Sequence, residues 1–164
     1  MKNNWSERSS IIANILNPAF CGKVLRTTLK SYKDETSIGM SYSMIYLILP
    51  IILHKNTREL LPSTTRIKFY DWLKENPNIR IGLAERIKNM VMYTQESLQF
   101  LIYHEAIQID DSGLTSVIKY KKDNSTLNET KELVDIFHKS RFFGKWLSKI
   151  GNIETIFAVL GIKP

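Results

Sequence analysis

Near the carboxy terminus Lys139, Arg141, Lys145 and Lys149 interleave with Phe142, Phe143 and Trp146. Cations set among large rings have the composition of a recognition surface, because aromatic and arginine anchors supply much of the binding energy at protein interfaces. Residues 139–164 carry five Lys or Arg against Glu154 alone, a local net charge of +4 that suits an acidic partner. At helical spacing Phe142 and Trp146 are four apart, as are Phe143 and Leu147, so the aromatics form two adjacent stripes. A core needs one of them. Either the other is offered to a partner, or Ile153, Ile156, Phe157 and Leu160 fold back over both. The first reading makes Arg141, Phe142, Lys145, Trp146, Lys149 and Ile162 the expected protein interface. A second basic group, Lys119, Lys121 and Lys122 around Tyr120, could contact DNA phosphates, with a solvated strand end as the plainer reading.

Nothing comparable is spaced for catalysis. His54, His104 and His138 are far apart, and no Asp, Glu or Cys stands at metal-ligand spacing from any of them. The seven glycines are scattered, with neither a dinucleotide-binding nor a P-loop pattern. No catalytic, cofactor or metal residues are therefore expected, and the chain reads as a non-enzyme. The single Cys21 cannot form an intramolecular disulfide and reads as a small buried hydrophobe. A net charge of +7 permits a nucleic-acid or acidic-protein partner without demonstrating one. That charge is uneven: residues 1–82 hold 12 Lys and Arg against 6 Asp and Glu, residues 83–164 hold 11 against 10, and residues 96–111 hold four acids and no base.

The elements that position these side chains can be read in outline. A chain of 164 residues suits one domain, 1–164, with core helices over 17–62, a winged-helix-like segment over 64–120 and carboxy-terminal helices over 127–164. Ile11 to Leu16 is too short and interrupted for a secretory signal, so a cytoplasmic protein without membrane contact is expected. Ser6 to Leu16 reads as a short helix stopped at Asn17-Pro18, and Ala19 to Tyr32 as a second. This second helix has Phe20, Val24 or Leu25, and Leu29 inward, and Lys23, Arg26, Lys30 and Lys33 around the other side.

Ser41 to Leu53, SYSMIYLILPIIL, is the most apolar stretch. It is too short to span a bilayer, which takes roughly 20 apolar residues, so it reads as the central helix of a core, entered through Ser41 or Ser43 and bent near Pro50. A buried strand is the competing reading. Thr64 to Glu75 follows as a helix with Ile67, Tyr70 and Leu73 on one face. Then come a helix marked by Leu83, Ile87 and Met90, a second capped by Thr94, and a hairpin of Ala106 to Ile109 and Leu114 to Tyr120 around the turn DDSG. Helix, helix, hairpin is the order of a winged helix. Its would-be recognition helix, Gln95 to Glu105, carries two glutamates and no Lys or Arg, which argues against reading DNA. Leu127 to Ile150 and Ile153 to Leu160 close the chain as helices stopped by Gly151 and Gly161.

Several pieces together resemble a known family: NPAF (17–20), LILPIILHKNTRELLP (47–62), ENPNIRIGLAERI (75–87), YTQESLQFLI (93–102) and FFGKWLSKIGNIETIFAVLGIKP (142–164). They are similar to the middle component of bacterial three-component ABC ATPase systems, a class to which Lamassu-type anti-phage defence belongs. The resemblance implies a small non-catalytic subunit encoded beside an SMC-like or Rad50-like ABC ATPase and an effector that is often a nuclease. It carries over no catalytic residues, and DNA would be met mainly through the complex.

The reading is a mainly α protein, a helical bundle with one small β-hairpin and a winged-helix-like segment, bridging an ATPase and an effector in anti-phage or anti-plasmid defence. A free-standing winged-helix DNA-binding regulator is the alternative, and an uncharacterised enzyme comes third.

Overall fold

The computed structural model describes residues 9, 15–118, 130–151 and 153–162. The fold is mainly α with one small antiparallel sheet, as expected. Its hub is α1 (Pro18–Thr36). Asn17 caps it, the side-chain oxygen accepting from the Phe20 N–H at 2.8 Å, and Pro18 sits in the first turn, where a missing N–H costs no helical bond. Ser37 ends it in the left-handed region at φ 62°, its N–H donating to the Lys33 carbonyl. Among the described residues the broadest helix contacts join α1 to α7 (Leu83–Tyr103) and α8 (Lys131–Leu147). Gly22 lets Leu101 of α7 approach, and Gly144 lets α8 rest on the α1 backbone at Thr28.

Most of the apolar stretch 41–53 is buried as expected, with Tyr42 exposed and Ser41, Ser43, Tyr46 and Leu53 half-buried, but it is neither one helix nor the hub. It forms α2 (Tyr42–Ile45) and α3 (Ile48–Ile52), with the break at Tyr46 and Leu47 rather than at Pro50. The physical reason is the proline. Its ring excludes the carbonyl of residue 46 and it brings no N–H to a bond there, so the chain restarts with Pro50 in the first turn of the new helix. Ile48, Leu49, Ile51 and Ile52 are all 0% exposed.

The helix-turn-helix expected over residues 79–105 is also corrected. Residues 83–103 are one helix of 21 residues, α7, preceded by Gly82 at φ 73°. Thr94 lies buried in its middle instead of capping a second helix, because Met90 to Thr94 contains no glycine or proline to stop the first. The hairpin stands where it was read: β2 (Ile107–Ile109) and β3 (Leu114–Val117) pair with Ile107 opposite Val117 and Ile109 opposite Thr115. Its turn is built by Asp110, whose carboxylate accepts from the N–H groups of Ser112 and Leu114, both at 2.9 Å, and by Gly113 at φ 74°. A third strand was not foreseen. β1 (Met40–Ser41) pairs with β3, giving the order β1-β3-β2.

The helix expected from Thr64 begins only at Phe69. Thr64 instead turns its hydroxyl onto the Arg66 N–H, and α5 (Phe69–Glu75) buries Phe69, Trp72 and Leu73 while Tyr70 stays 60% exposed. Two short helices flank this region, α4 (Lys55–Glu59) and α6 (Pro77–Arg80). α9 (Ile153–Leu160) is stopped at Gly161, φ 68°, with its expected bounds. The expected amino-terminal helix lies almost wholly outside the described residues.

Candidate protein-docking site

α8 opens at Thr130, whose hydroxyl accepts from the Leu133 N–H at 3.3 Å, with Glu132 in its first turn and Lys145 in its last, charges that complement the helix dipole. Arg58 on α4 anchors that opening turn. It is 2% exposed and donates from Nε to Asp135 at 2.8 Å, from one terminal nitrogen to Glu132 at 3.2 Å, and from the other to the Ile52 carbonyl at 2.8 Å. Its charge gave the sequence reading no sign of burial, since a lone arginine among HKNTRELLP looks solvated.

Further along α8 the buried face is Phe143, Gly144, Trp146 and Leu147, and the outer face carries Arg141 and Lys145, with Lys149 exposed in the turn just past its end. The expected interface set is therefore split. Trp146 is corrected from anchor to core: it is 1% exposed, and its indole N–H donates to the Ile67 carbonyl at 2.6 Å. Its ring packs edge-on against Trp72 at 5.2 Å and against Phe69 at 5.4 Å. The second aromatic stripe is thus covered, and chiefly by α5. Phe142 is half-buried, stacked on Trp146 at 6.3 Å. Ile162 is half-buried, its N–H held by the Phe157 carbonyl at 2.9 Å. Lys145 and Lys149 both reach Glu35 of α1, at 3.9 and 3.4 Å. Arg141 is exposed and has no carboxylate partner among the described residues.

Beside this face the segment 65–68, the start of α5, residues 149–151 and the helix α9 line a cleft of 440 Å³. Its floor includes Trp146, Phe69 and Ile156; its rim carries Arg66, Lys68 and Lys149, and no carboxylate lines it. Arg66 and Lys68 were not singled out in the sequence, because their proximity to Lys149 is made by the fold across some 80 residues. The only local signal was the pair of cations flanking Ile67.

Lys119, Lys121 and Lys122 lie outside the described residues. The chain just before them is tied to α1, where Arg26 donates to the Ile118 carbonyl at 3.0 Å and Lys33 to the Val117 carbonyl at 3.4 Å. The cations of α1, placed around the side opposite its apolar stripe, are thus partly structural. Lys23 sits 4.8 Å above the Phe137 ring and Lys30 pairs with Asp34.

The histidines are dispersed. His54 caps α4, accepting from the Thr57 N–H, and burial together with the nearby Arg86 charge lowers its pKa. His104 packs on Phe100 at 4.4 Å, and His138 is exposed. Among the described residues no three His, Cys, Asp or Glu side chains are grouped to hold a metal. No helix among them is long and apolar enough to cross a membrane.

A family model described as ABC-three component (ABC-3C) system Middle Component 3 matches residues 5–164. The chain belongs to that family. As a middle component it works with the other components of an ABC-3C system. No curated protein and no solved structure matches it. In this middle component, the features quoted for the family resemblance have structural roles: Asn17 caps α1, Arg58 of HKNTRELLP binds the start of α8, and Gly144 and Trp146 of the FFGKWL stretch seat α8 against α1 and α5.

Proposed function

We propose that this middle component is a non-catalytic, cytoplasmic bridging subunit that holds an SMC-like or Rad50-like ABC ATPase and an effector, often a nuclease, in one complex serving defence against phage or plasmid DNA. The match over residues 5–164 carries the reading. It is supported by the outer face of α8, where Arg141 stands without a carboxylate beside Lys145 and Lys149. A rigid bundle that offers exposed cations suits holding partners together more than turning over a substrate. The test is co-expression of the three components with and without this one, followed by sizing chromatography. ATPase and effector should co-elute only when the middle component is present, and co-elution without it would overturn the bridge.

The regulator alternative draws on one observation. A helix (α1), a strand (β1), further helices ending in α7 and a hairpin, with strands ordered β1-β3-β2, follow one another in an order compatible with a winged helix, in which α7 would take the place of the reading helix. The exposed positions on α7 include Glu85, Lys88, Gln95 and Gln99, a face without the arginines that neutralise phosphates. In the bridging reading this wing makes protein contacts. DNA binding by the isolated chain is then weak, indifferent to sequence and strongly salt-dependent, with Lys119, Lys121 and Lys122 as phosphate contacts. Titration of labelled duplexes at two salt concentrations checks this; tight binding to one sequence that persists at high salt favours the regulator.

A further inference from the structure

We propose that the cleft between α5, α8 and α9 receives an acidic segment of one partner component with an apolar side chain as its anchor. This rests on the bridging reading and names the place and chemistry of one contact. The volume of 440 Å³ suits one or two large side chains. The half-buried Ile67, Ile150 and Val159 offer them apolar contact above the buried Trp146 and Ile156, and the rim presents three cations, Arg66, Lys68 and Lys149, with no carboxylate in the lining. Lys149 has Glu35 within 3.4 Å, but Arg66 and Lys68 are exposed and have no ion-pair partner among the described residues. Their field is therefore available to an anion.

The wall that bears these two cations is held in place before any ligand arrives. The Trp72 indole N–H donates to the Leu60 carbonyl and that of Trp146 to the Ile67 carbonyl, each at 2.6 Å. Two buried rings thus grip both ends of the segment 60–67, and Ile67 lies between Arg66 and Lys68. A wall fixed in this way loses little conformational entropy on binding, which leaves more of the contact energy as affinity. Tyr70, 60% exposed at the cleft edge, adds a ring with a polar tip of the kind enriched at interfaces.

Charge selects the occupant. Residues 1–14 hold Lys2 and Arg8 against Glu7, and residues 119–129 hold three lysines against Asp123 and Glu129, so neither segment offers the net negative charge that complements the rim. A nucleic acid would answer the cations but not the apolar floor. A carboxylate-bearing segment with a leucine or aromatic anchor answers both.

The experiment places a benzophenone photo-crosslinking amino acid at Tyr70, co-expresses the chain with the ATPase and effector components, and maps the adducts by mass spectrometry. The expected adduct is a net-negative segment of one component. Arg66→Glu with Lys68→Glu, in a protein that melts like the parent, should weaken that component's binding roughly tenfold or more, and lysines placed at the mapped carboxylates should restore it. Two failures are distinct. If the three components never assemble, the bridging reading falls and this proposal with it. If they assemble while Tyr70 cross-links only to this chain, to a second copy, to nucleic acid or to nothing, the cleft is not the contact and the bridging reading stands.

Discussion

Gly144 of α8 lies directly against the carbonyl oxygen of Thr28 on α1, so close that a β-carbon there would overlap it. Ser31 flanks the same spot and Ser140 is fully buried one turn earlier on α8, so a strip of small side chains sets the spacing of the two helices. Gly144→Ala must push α8 off α1. Overpacking of this kind costs about 1–3 kcal/mol, and more where backbone is the obstacle. The urea midpoint should fall clearly for Gly144→Ala and hardly move for Gly151→Ala, where nothing lies within 4 Å of an added β-carbon. Equal midpoints would mean that the two helices can separate without loss.

Leu49→Asp tests the apolar stretch. Leu49 is 0% exposed in the same core cluster as Ile45, Ile48 and Ile52, so a carboxylate there is cut off from water. The cost is several kcal/mol, enough to unfold a protein with ~5 to 15 kcal/mol to lose. Circular dichroism decides the matter, and a parent-like melt would mean that this segment does not hold the core.

What the sequence revealed and concealed follows from range. Asn17-Pro18, the DDSG turn and Gly161 are local signals, and the elements they punctuate stand close to where they were read. The burial of residues 44–53 was legible because no polar face exists to be solvated. The hub was not legible. α1 looks half polar, yet Gly22, Thr28 and Ser31 are buried because two helices flank it, and small or weakly polar side chains announce close packing far less than leucines do, although the burial of Cys21 was expected. Trp146 was misplaced for a similar reason: its cover, Phe69 and Trp72, comes from a helix whose start was read five residues early, which turned the wrong face inward.

Arg58 and its two carboxylates give a third expectation. The guanidinium is 2% exposed, while the side chains of Asp135 and Glu132 are 41% and 65% exposed. Arg58→Ala lets the carboxylates return to water but strands the Ile52 carbonyl and leaves a void, at an expected cost of about 2–4 kcal/mol. Arg58→Lys should restore only a minor part, since one ammonium cannot reproduce three diverging donors. Asp34→Ala, which breaks an exposed pair with Lys30, should cost less than about 1 kcal/mol. Chemical denaturation of the three variants would show the order, and an Arg58→Ala as mild as Asp34→Ala would remove Arg58 from the fold's supports.

Cys21 gives the molecule an alkaline weakness. Burial pushes its thiol pKa up to about 11, with the Glu96 charge adding to the rise and a Ser97 hydrogen bond opposing it. An unfolded chain ionises this thiol near its ordinary value of 9.0, whereas the folded chain resists until about 11. The contribution to stability is complete below pH 9 and is lost as the pH rises from there toward 11. Tyr46, raised to about 12 by burial and by its contact with Tyr42, behaves likewise at higher pH, so the comparison must be between variants. Cys21→Ala should show a shallower fall in melting temperature between pH 9 and 11 than the parent. Parallel curves would mean that the thiol ionises as freely folded as unfolded.

Trp146 and Arg141 separate folding from assembly on a single helix. Trp146→Ala empties the space among Phe69, Trp72 and Phe143 and frees the Ile67 carbonyl, at an expected cost of about 3–5 kcal/mol. Loss of partner binding in that variant would report unfolding and say nothing of docking. Trp146→Phe retains most of the packing but not the hydrogen bond, and should fall between the parent and Trp146→Ala in thermal melts. Arg141→Glu changes an exposed side chain, so its melt should match the parent, and it reverses the charge at the center of the outer face of α8. Co-purification with the proposed ATPase and effector partners should then weaken, most strongly at low salt, where exposed charges act over longer distances. If folded Arg141→Glu still binds both components like the parent at low salt, the outer face of α8 is solvated surface, and the docking site must be sought elsewhere on the bundle.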